Sequence, residues 1–151
     1  MMGIARRAAS GFTLTELVVV IIIATILSAF AIARINTTSF NTEGFANRAA
    51  AMVRYAQKLA IAQRRTVVVV TTASNIRLCY TDATCPTPVR EPPGANAFSY
   101  DAPTGVALSV GNFSFDALGR PNAGGPITVT GGGDTRTINI TAETGYVQYV
   151  P

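Results

Sequence analysis

Glu16 is the residue whose placement most demands a chemical partner. It sits inside GFTLTELVVVIIIATILSAFAIAR, a run otherwise built for lipid. An ionised carboxylate at membrane depth is costly unless something pairs with it. The residues before it supply a candidate. Arg6 and Arg7 lie on a short polar leader that stops at Gly11, and Phe12 opens the apolar run. A cut between Gly11 and Phe12 would expose an α-amine about one helical turn from Glu16. A neighbouring subunit would then carry a cation that a buried carboxylate can meet.

This stretch resembles the type IV prepilin signature shared by pilins and the pseudopilins of type II secretion. The matching residues are Gly11, Phe12, Thr13, Leu14 and Glu16, followed by the aliphatic run from Leu17 to Ala33. The resemblance implies that an inner-membrane prepilin peptidase cuts after Gly11 and methylates the amine of Phe12. It also implies that Glu16 aligns an incoming subunit by meeting that amine. An ordinary secretory signal is the rival reading. Such a signal is cleaved after its apolar segment, at small residues, whereas the Gly11–Phe12 junction comes before it.

Other chemistry is sparse. The chain has no His and no Trp, so a Ser-His-Asp or Cys-His arrangement cannot be built. No catalytic residue, no cofactor and no small-molecule substrate are expected. Cys79 and Cys85 lie close together in LCYTDATC. In a periplasmic or extracellular domain that spacing reads as a disulfide closing a small loop, with free buried cysteines as the alternative. Two thiolates without His do not complete a zinc shell, so no metal is expected. Gly131-Gly132-Gly133-Asp134 lacks the Gly-Lys-Ser/Thr ending of a phosphate cradle and reads instead as a hairpin tip. The formal charge of +4 says little. Without Arg6 and Arg7, the twelve basic residues come near balance with the eight acids. Arg54, Lys58 and Arg65 do share one side of a helical segment and form a candidate basic contact face. That face reads either as a strip for an acidic partner or DNA, or, more in keeping with its composition, as solvated arginines whose stems cover the core edge. Tyr55 and Tyr80 read as core-edge residues rather than stacking platforms for bases.

The elements that must position these residues follow from periodicity. Residues 1–11 form the leader. Residues 12–35 form a transmembrane and filament-core helix of about 36 Å, enough to span a bilayer with some tilt. Arg6 and Arg7 put the leader in the cytoplasm and the C-terminus outside. Residues 36–65 continue as an amphipathic helix: Phe45, Ala49, Met52, Ala56, Leu59 and Gln63 recur at steps of three and four. Its regular part is expected over about Glu43 to Arg65, with Thr42 as N-cap. Residues 36–41 could be a kink, a loop or continuous helix. Residues 66–151 form a β-rich head. TVVVVTT and NIRLCY read as strands joined by a turn at Ala73–Asn75. Thr81–Ala97, with its prolines, reads as a loop. Further strands are expected at Val106–Val110, Ser114–Phe115, Ile127–Thr130, Arg136–Ile140 and Tyr146–Val150. The fold class is α+β: a long N-terminal helix followed by an antiparallel head.

The second half carries a resemblance of its own. RAAAMVRYAQKLAIAQRRTVVVV, FSFDALGRP and ITVTGGGDTRTINITAETGYV resemble the minor pilin and pseudopilin family called GspH/FimT. The matching positions are Phe115–Gly119, Ile138, Ile140, Gly145 and Val147. The helix phrase VRYAQKLAIAQRR is similar to that of minor pilins of mannose-sensitive haemagglutinin-type pili. Two features depart from the family. Ala33 stands where many members have a helix-kinking proline, which implies a straighter helix or a kink displaced toward Ser39–Asn41. The tail AETGYVQYVP has no arginine, which weakens the DNA-uptake role of some FimT-type pilins. The resemblance implies a structural subunit, not an enzyme, acting in initiation or at the tip of a type IV pilus or type II secretion filament. DNA binding is the less favoured alternative. The implied partners are other pilin or pseudopilin subunits, the prepilin peptidase, the inner-membrane assembly platform and the membrane. The implied location is the inner membrane, single-pass with a periplasmic head, and then a filament.

Overall fold

The computed structural model describes residues 12–32, 37–91, 94 and 96–151. They divide into two units at the Ile35–Asn36 junction.

The first unit is α1, Leu14–Ile32. Thr13 stands at its N-cap and accepts the Glu16 amide hydrogen at 3.3 Å, the Thr-x-x-Glu start of a capping box. From Leu14 to Ala29 the side chains are exposed all round. The two hydroxyls in the run are satisfied within the helix. Thr25 donates to the Ile22 carbonyl and Ser28 to the Ala24 carbonyl, each at 2.7 Å, so neither needs water. Among the described residues no helix is long and apolar enough to cross a membrane. The span expected over 12–35 continues past Ile32 into residues that lie outside the described ones, as do Ala33 and the leader.

The second unit begins with α2, Thr37–Gln63. The expected N-cap is corrected here. Thr42 lies inside the helix, fully buried, and donates to the Thr38 carbonyl at 2.8 Å. The reason is tertiary: Gly131 comes so near that a Cβ on it would sit 2.5 Å from Thr42 Oγ1, so this turn faces the sheet. Residues 39–41 are helical, so of the readings left open for this stretch the loop does not apply to them. Phe45, Ala49, Met52 and Ala56 are buried as the stripe predicts. Ala46, Ala50, Val53 and Ala60 widen the face, and their small size brings the helix close to the strands. The end of α2 is marked by Arg64 at φ +50°. Its amide donates to Ile61 O at 3.3 Å and that of Arg65 to Ala60 O at 3.2 Å, a Schellman closure with arginine in the place glycine usually takes.

Among the described residues eight strands follow in two antiparallel four-stranded sheets, both touched by α2. They are β1 Val67–Thr72, β2 Asn75–Cys79, β3 Ser99–Asp101, β4 Val106–Leu108, β5 Gly111–Phe115, β6 Gly125–Gly131, β7 Asp134–Ile140 and β8 Val147–Val150. The first sheet has the order β3-β2-β1-β5 and the second β4-β6-β7-β8. Val67 and Val69 pack in the main core with α2, while Val68 and Val70 pack with Cys79 on the other face. With both faces covered, the strand needs no polar alternation. The β6–β7 tip is Gly132–Gly133, at φ +63° and +87°, as a type I′ hairpin requires. The fold is α+β. Strand β3 was not expected, and β5 begins earlier than the sequence indicated.

Candidate assembly site

Phe12 and Glu16 flank the start of α1. Phe12 is 80% exposed, and Glu16 projects from the first turn. Gly11 lies outside the described residues. The capping bond to Thr13 fixes the backbone of Glu16, and no side chain of the head is needed to hold it. A helix apolar on every side with a single acid at its start has no face of its own to bury.

The candidate basic face does not form one free strip. Arg54 turns toward the sheet, donating from Nε and Nη2 to Val147 O at 3.4 and 3.3 Å. Arg65 lies beyond the end of α2 and stacks over the Tyr80 ring at 3.8 Å. Lys58 is exposed. The nearby Arg48 stacks over Tyr100 at 3.6 Å. Helical spacing alone grouped these cations, but Arg54 and Arg65 find partners in Val147 and Tyr80, far along the chain. The tyrosines are core-edge residues: Tyr55 packs edge-on against Phe98 at 5.1 Å.

Cys79 and Cys85 are joined in a disulfide. Their loop lays Ala83 and Cys85 over Val68 and Val70, and Arg77 donates to Ala83 O at 3.3 Å. Inside the loop Asp82 Oδ1 accepts from the Thr84 amide at 2.8 Å and from the Thr84 hydroxyl. The Thr84 hydroxyl foremost, and the Thr84 amide after it, hold the Asp82 carboxyl below its usual value. Among the described residues no group of His, Cys, Asp and Glu could hold a metal.

The sequence did not single out Gln57. Its amide nitrogen donates to Gly119 O and Thr144 O, each at 3.0 Å, tying two turns to α2. A lone glutamine in a helix carries no signal of such a role. The segments beside its acceptors were visible, in Phe115–Gly119 and Gly145–Val147.

An apolar helix with one acid, followed by a helix laid on two antiparallel sheets, defines a pilin-like subunit. Residues 46–145 match the family described as Type II transport protein GspH, and residues 6–32 match the prokaryotic N-terminal methylation motif. The chain belongs to the GspH family, and is a minor pilin or pseudopilin of the GspH/FimT type. Its fold is similar to that of the type IV minor pilin FimU of Pseudomonas aeruginosa in two crystal forms. One has 17% sequence identity and a TM-score of 0.59, covering 72% of this chain and 87% of that one. The other has 18% identity and a TM-score of 0.58, covering 72% and 92%. A comparison with curated proteins finds no match.

Proposed function

We propose that this chain is made as a precursor, cut between Gly11 and Phe12, methylated at Phe12 and held in the inner membrane by residues 12–35. Residues 36–65 and the head, 66–151, stand on the periplasmic side. The subunit then enters a type IV pilus or type II secretion filament, acting in initiation or at the tip, as a structural element without catalysis. Its partners are the prepilin peptidase, the inner-membrane assembly platform and other pilin-type subunits. Glu16 meets the amine of a neighbour's Phe12 in a bundle of apolar helices. One observation supports this reading above the others. The N-terminal methylation motif covers a helix whose side chains from Leu14 to Ala29 are all exposed and whose first turn carries Glu16. An acid left unpaired in such a bundle costs roughly 3–5 kcal/mol, so the pairing selects correctly placed subunits.

The test is intact mass and filament incorporation in the native host. The mature wild-type chain should begin at methylated Phe12. Gly11→Leu should remain unprocessed. Glu16→Ala should be processed and stay in the membrane, yet be largely lost from the sheared filament fraction. Normal incorporation of Glu16→Ala would remove the pairing mechanism.

A further inference from the structure

A sheet ends in strands whose outer backbone groups need cover or water. Of the edge strands β3, β5, β4 and β8, the last three have cover. At β5, Ser114 O accepts from Asn122 N at 2.9 Å and Ser114 N donates to Asn122 Oδ1 at 2.8 Å. At β4, Leu108 N donates to Ala73 O at 3.0 Å. At β8, Arg54 reaches Val147 O. The edge of β3 differs. Leu78 N donates to Phe98 O and Ala102 N to Ser74 O, and Tyr100 stands opposite Ile76. Phe98, Tyr100 and Ala102 therefore direct their backbone groups at β2. Ser99 and Asp101, between them, direct theirs outward, and among the described residues no hydrogen bond closes them.

The side chains beside that edge form a groove. Tyr100 lies against α2, with Arg48 over its ring at 3.6 Å. Two cavities meet at this pair. One, of 380 Å³, runs between Met52 and Tyr55 of α2 and Phe98. The other, of 310 Å³, reaches Phe45 and Pro103. Either has room for one large apolar side chain. The charges along the edge are unlike. Asp101 is exposed, and Asn75 Nδ2 donates to Asp101 Oδ1 at 2.7 Å and to Ser99 Oγ at 2.8 Å. Arg77 stands opposite Ser99 in the register. A group placed beside Asp101 therefore meets an acid, and one placed beside Ser99 meets a cation.

We propose that the β3 edge docks an extended strand of a partner protein, added antiparallel to Ser99–Asp101 and reading basic, large apolar, uncharged in that order. Pairing with the outward groups of Ser99 and Asp101 sets one residue of the added strand opposite Tyr100, on the face turned to α2. That residue is the large apolar one, and it enters the groove beside Met52 and Tyr55. The residue before it lies opposite Asp101 and is Lys or Arg. The residue after it lies opposite Ser99, near Arg77, and carries no charge. Main-chain bonds supply the attraction, and the groove supplies the choice of sequence. β3 has three residues, and so short an edge does not pair indiscriminately, so the side-chain positions decide. The contact lies within the head and needs neither a cut at Gly11 nor the pairing of Glu16.

The experiment titrates a fluorescein-labelled synthetic peptide, Thr-Thr-Lys-Leu-Thr-Val-Thr-amide, into the full-length protein in detergent micelles. Polarisation reads affinity, and NMR-detected hydrogen exchange reads the site. Saturable binding is expected, with exchange slowed at the Ser99 and Asp101 amides. Replacing the peptide's Lys by Glu should weaken binding several-fold at low salt, and added salt should narrow the gap. Ser99→Pro removes an outward donor and leaves the bonds to β2 in place. It should cut affinity several-fold. Ala51 is exposed at the 380 Å³ cavity, so Ala51→Trp should fill the groove and do the same. A peptide N-methylated on its Lys leaves the protein untouched and should lose as much as Ser99→Pro, which keeps the test open if that variant does not fold. No saturation at millimolar peptide, unchanged exchange at Ser99 and Asp101, or equal affinity of the Lys and Glu peptides overturns the docking site. None of these results bears on where the chain is cut, which intact mass reads separately.

Discussion

Gly145 lies against Gln57 so closely that a Cβ would meet the amide nitrogen of Gln57 at 2.6 Å. That nitrogen is committed to Gly119 O and Thr144 O, so it cannot retreat without giving up both bonds. The glycine, at φ +69°, satisfies two demands at once: a left-handed backbone and a space with no room for a side chain. The terminal turn, the 116–121 turn and the last turns of α2 are thereby fixed as one piece.

Gly145→Ala should therefore cost roughly 2 kcal/mol or more, combining backbone strain with a contact that cannot relax cheaply. Gly133→Ala is the control. It has φ +87° but nothing within 4 Å of its Cβ position, and should cost about 1 kcal/mol, from the backbone alone. Gln57→Ala should cost about 1 kcal/mol by leaving two carbonyls without their donor. Urea unfolding of the three variants measures this. Equal losses for Gly145→Ala and Gly133→Ala would show that space at Gly145 does not matter.

Arg64 predicts a gain. It holds φ +50° at the position after the helix where glycine is usual, and both closing bonds come from backbone amides, not from its side chain. Its neighbour Arg65, not Arg64, carries the stacking on Tyr80. Arg64→Gly should raise stability by about 0.5–1 kcal/mol, the strain an L side chain adds in this region. Thermal unfolding reads the sign, and a lower melting temperature would mean the arginine side chain holds something that outweighs the strain.

Much of this architecture was legible where one local rule acted alone. Val67–Val70 is β-branched throughout, and Gly132–Gly133 leaves no conformation but a tight tip. Legibility failed where distant residues decided. Thr37, Thr38, Ser39, Asn41 and Thr42 are all cap-type residues, and only the approach of Gly131 against Thr42 puts Thr42 inside the helix. Ser99–Asp101 has weak strand preference, and becomes β3 because Ile76 and Tyr100 pair across it. Arg54, Lys58 and Arg65 looked alike in sequence, yet Val147 O and Tyr80 claim two of them. The motif of Gly11, Phe12 and Glu16 was readable as a local pattern, and residues 6–32 match the N-terminal methylation motif, while the Gln57 clasp was not readable, because its acceptors are backbone carbonyls in two separate turns.

Asp82 predicts an acid-side effect. Its folded pKa is depressed, by the Thr84 hydroxyl first and then by the Thr84 amide. A depressed carboxyl contributes stability that is fully present above the unfolded value and is lost as pH falls through the folded value. The loop's contribution should therefore fade on acidification below the ordinary Asp value of 3.8. The effect is small because the group is exposed. Asp82→Asn should flatten the stability difference between pH 2 and pH 6, and an NMR titration of the Asp82 carboxyl should fall below the ordinary value. A titration at or above it would remove the Thr84 bonds as a stabilising element.

The disulfide carries the last prediction, and its strength depends on what the loop covers. Constraining so short a loop is worth about 2 kcal/mol by chain entropy. The bridge also seats Ala83 and Cys85 on Val68 and Val70, so the loss on opening should exceed the entropic part if that cover lifts. Cys79→Ser with Cys85→Ser should therefore lower stability by more than about 2 kcal/mol and speed hydrogen exchange along β1 at the Val68 and Val70 amides. Val67 and Val69 face α2 on the other side and mark the contrast. In the wild type, both cysteines should resist alkylation until reduced. Rapid labelling without reductant would mean the bridge is absent. Unchanged exchange at Val68 and Val70 in the double variant would mean that the loop stays seated without it.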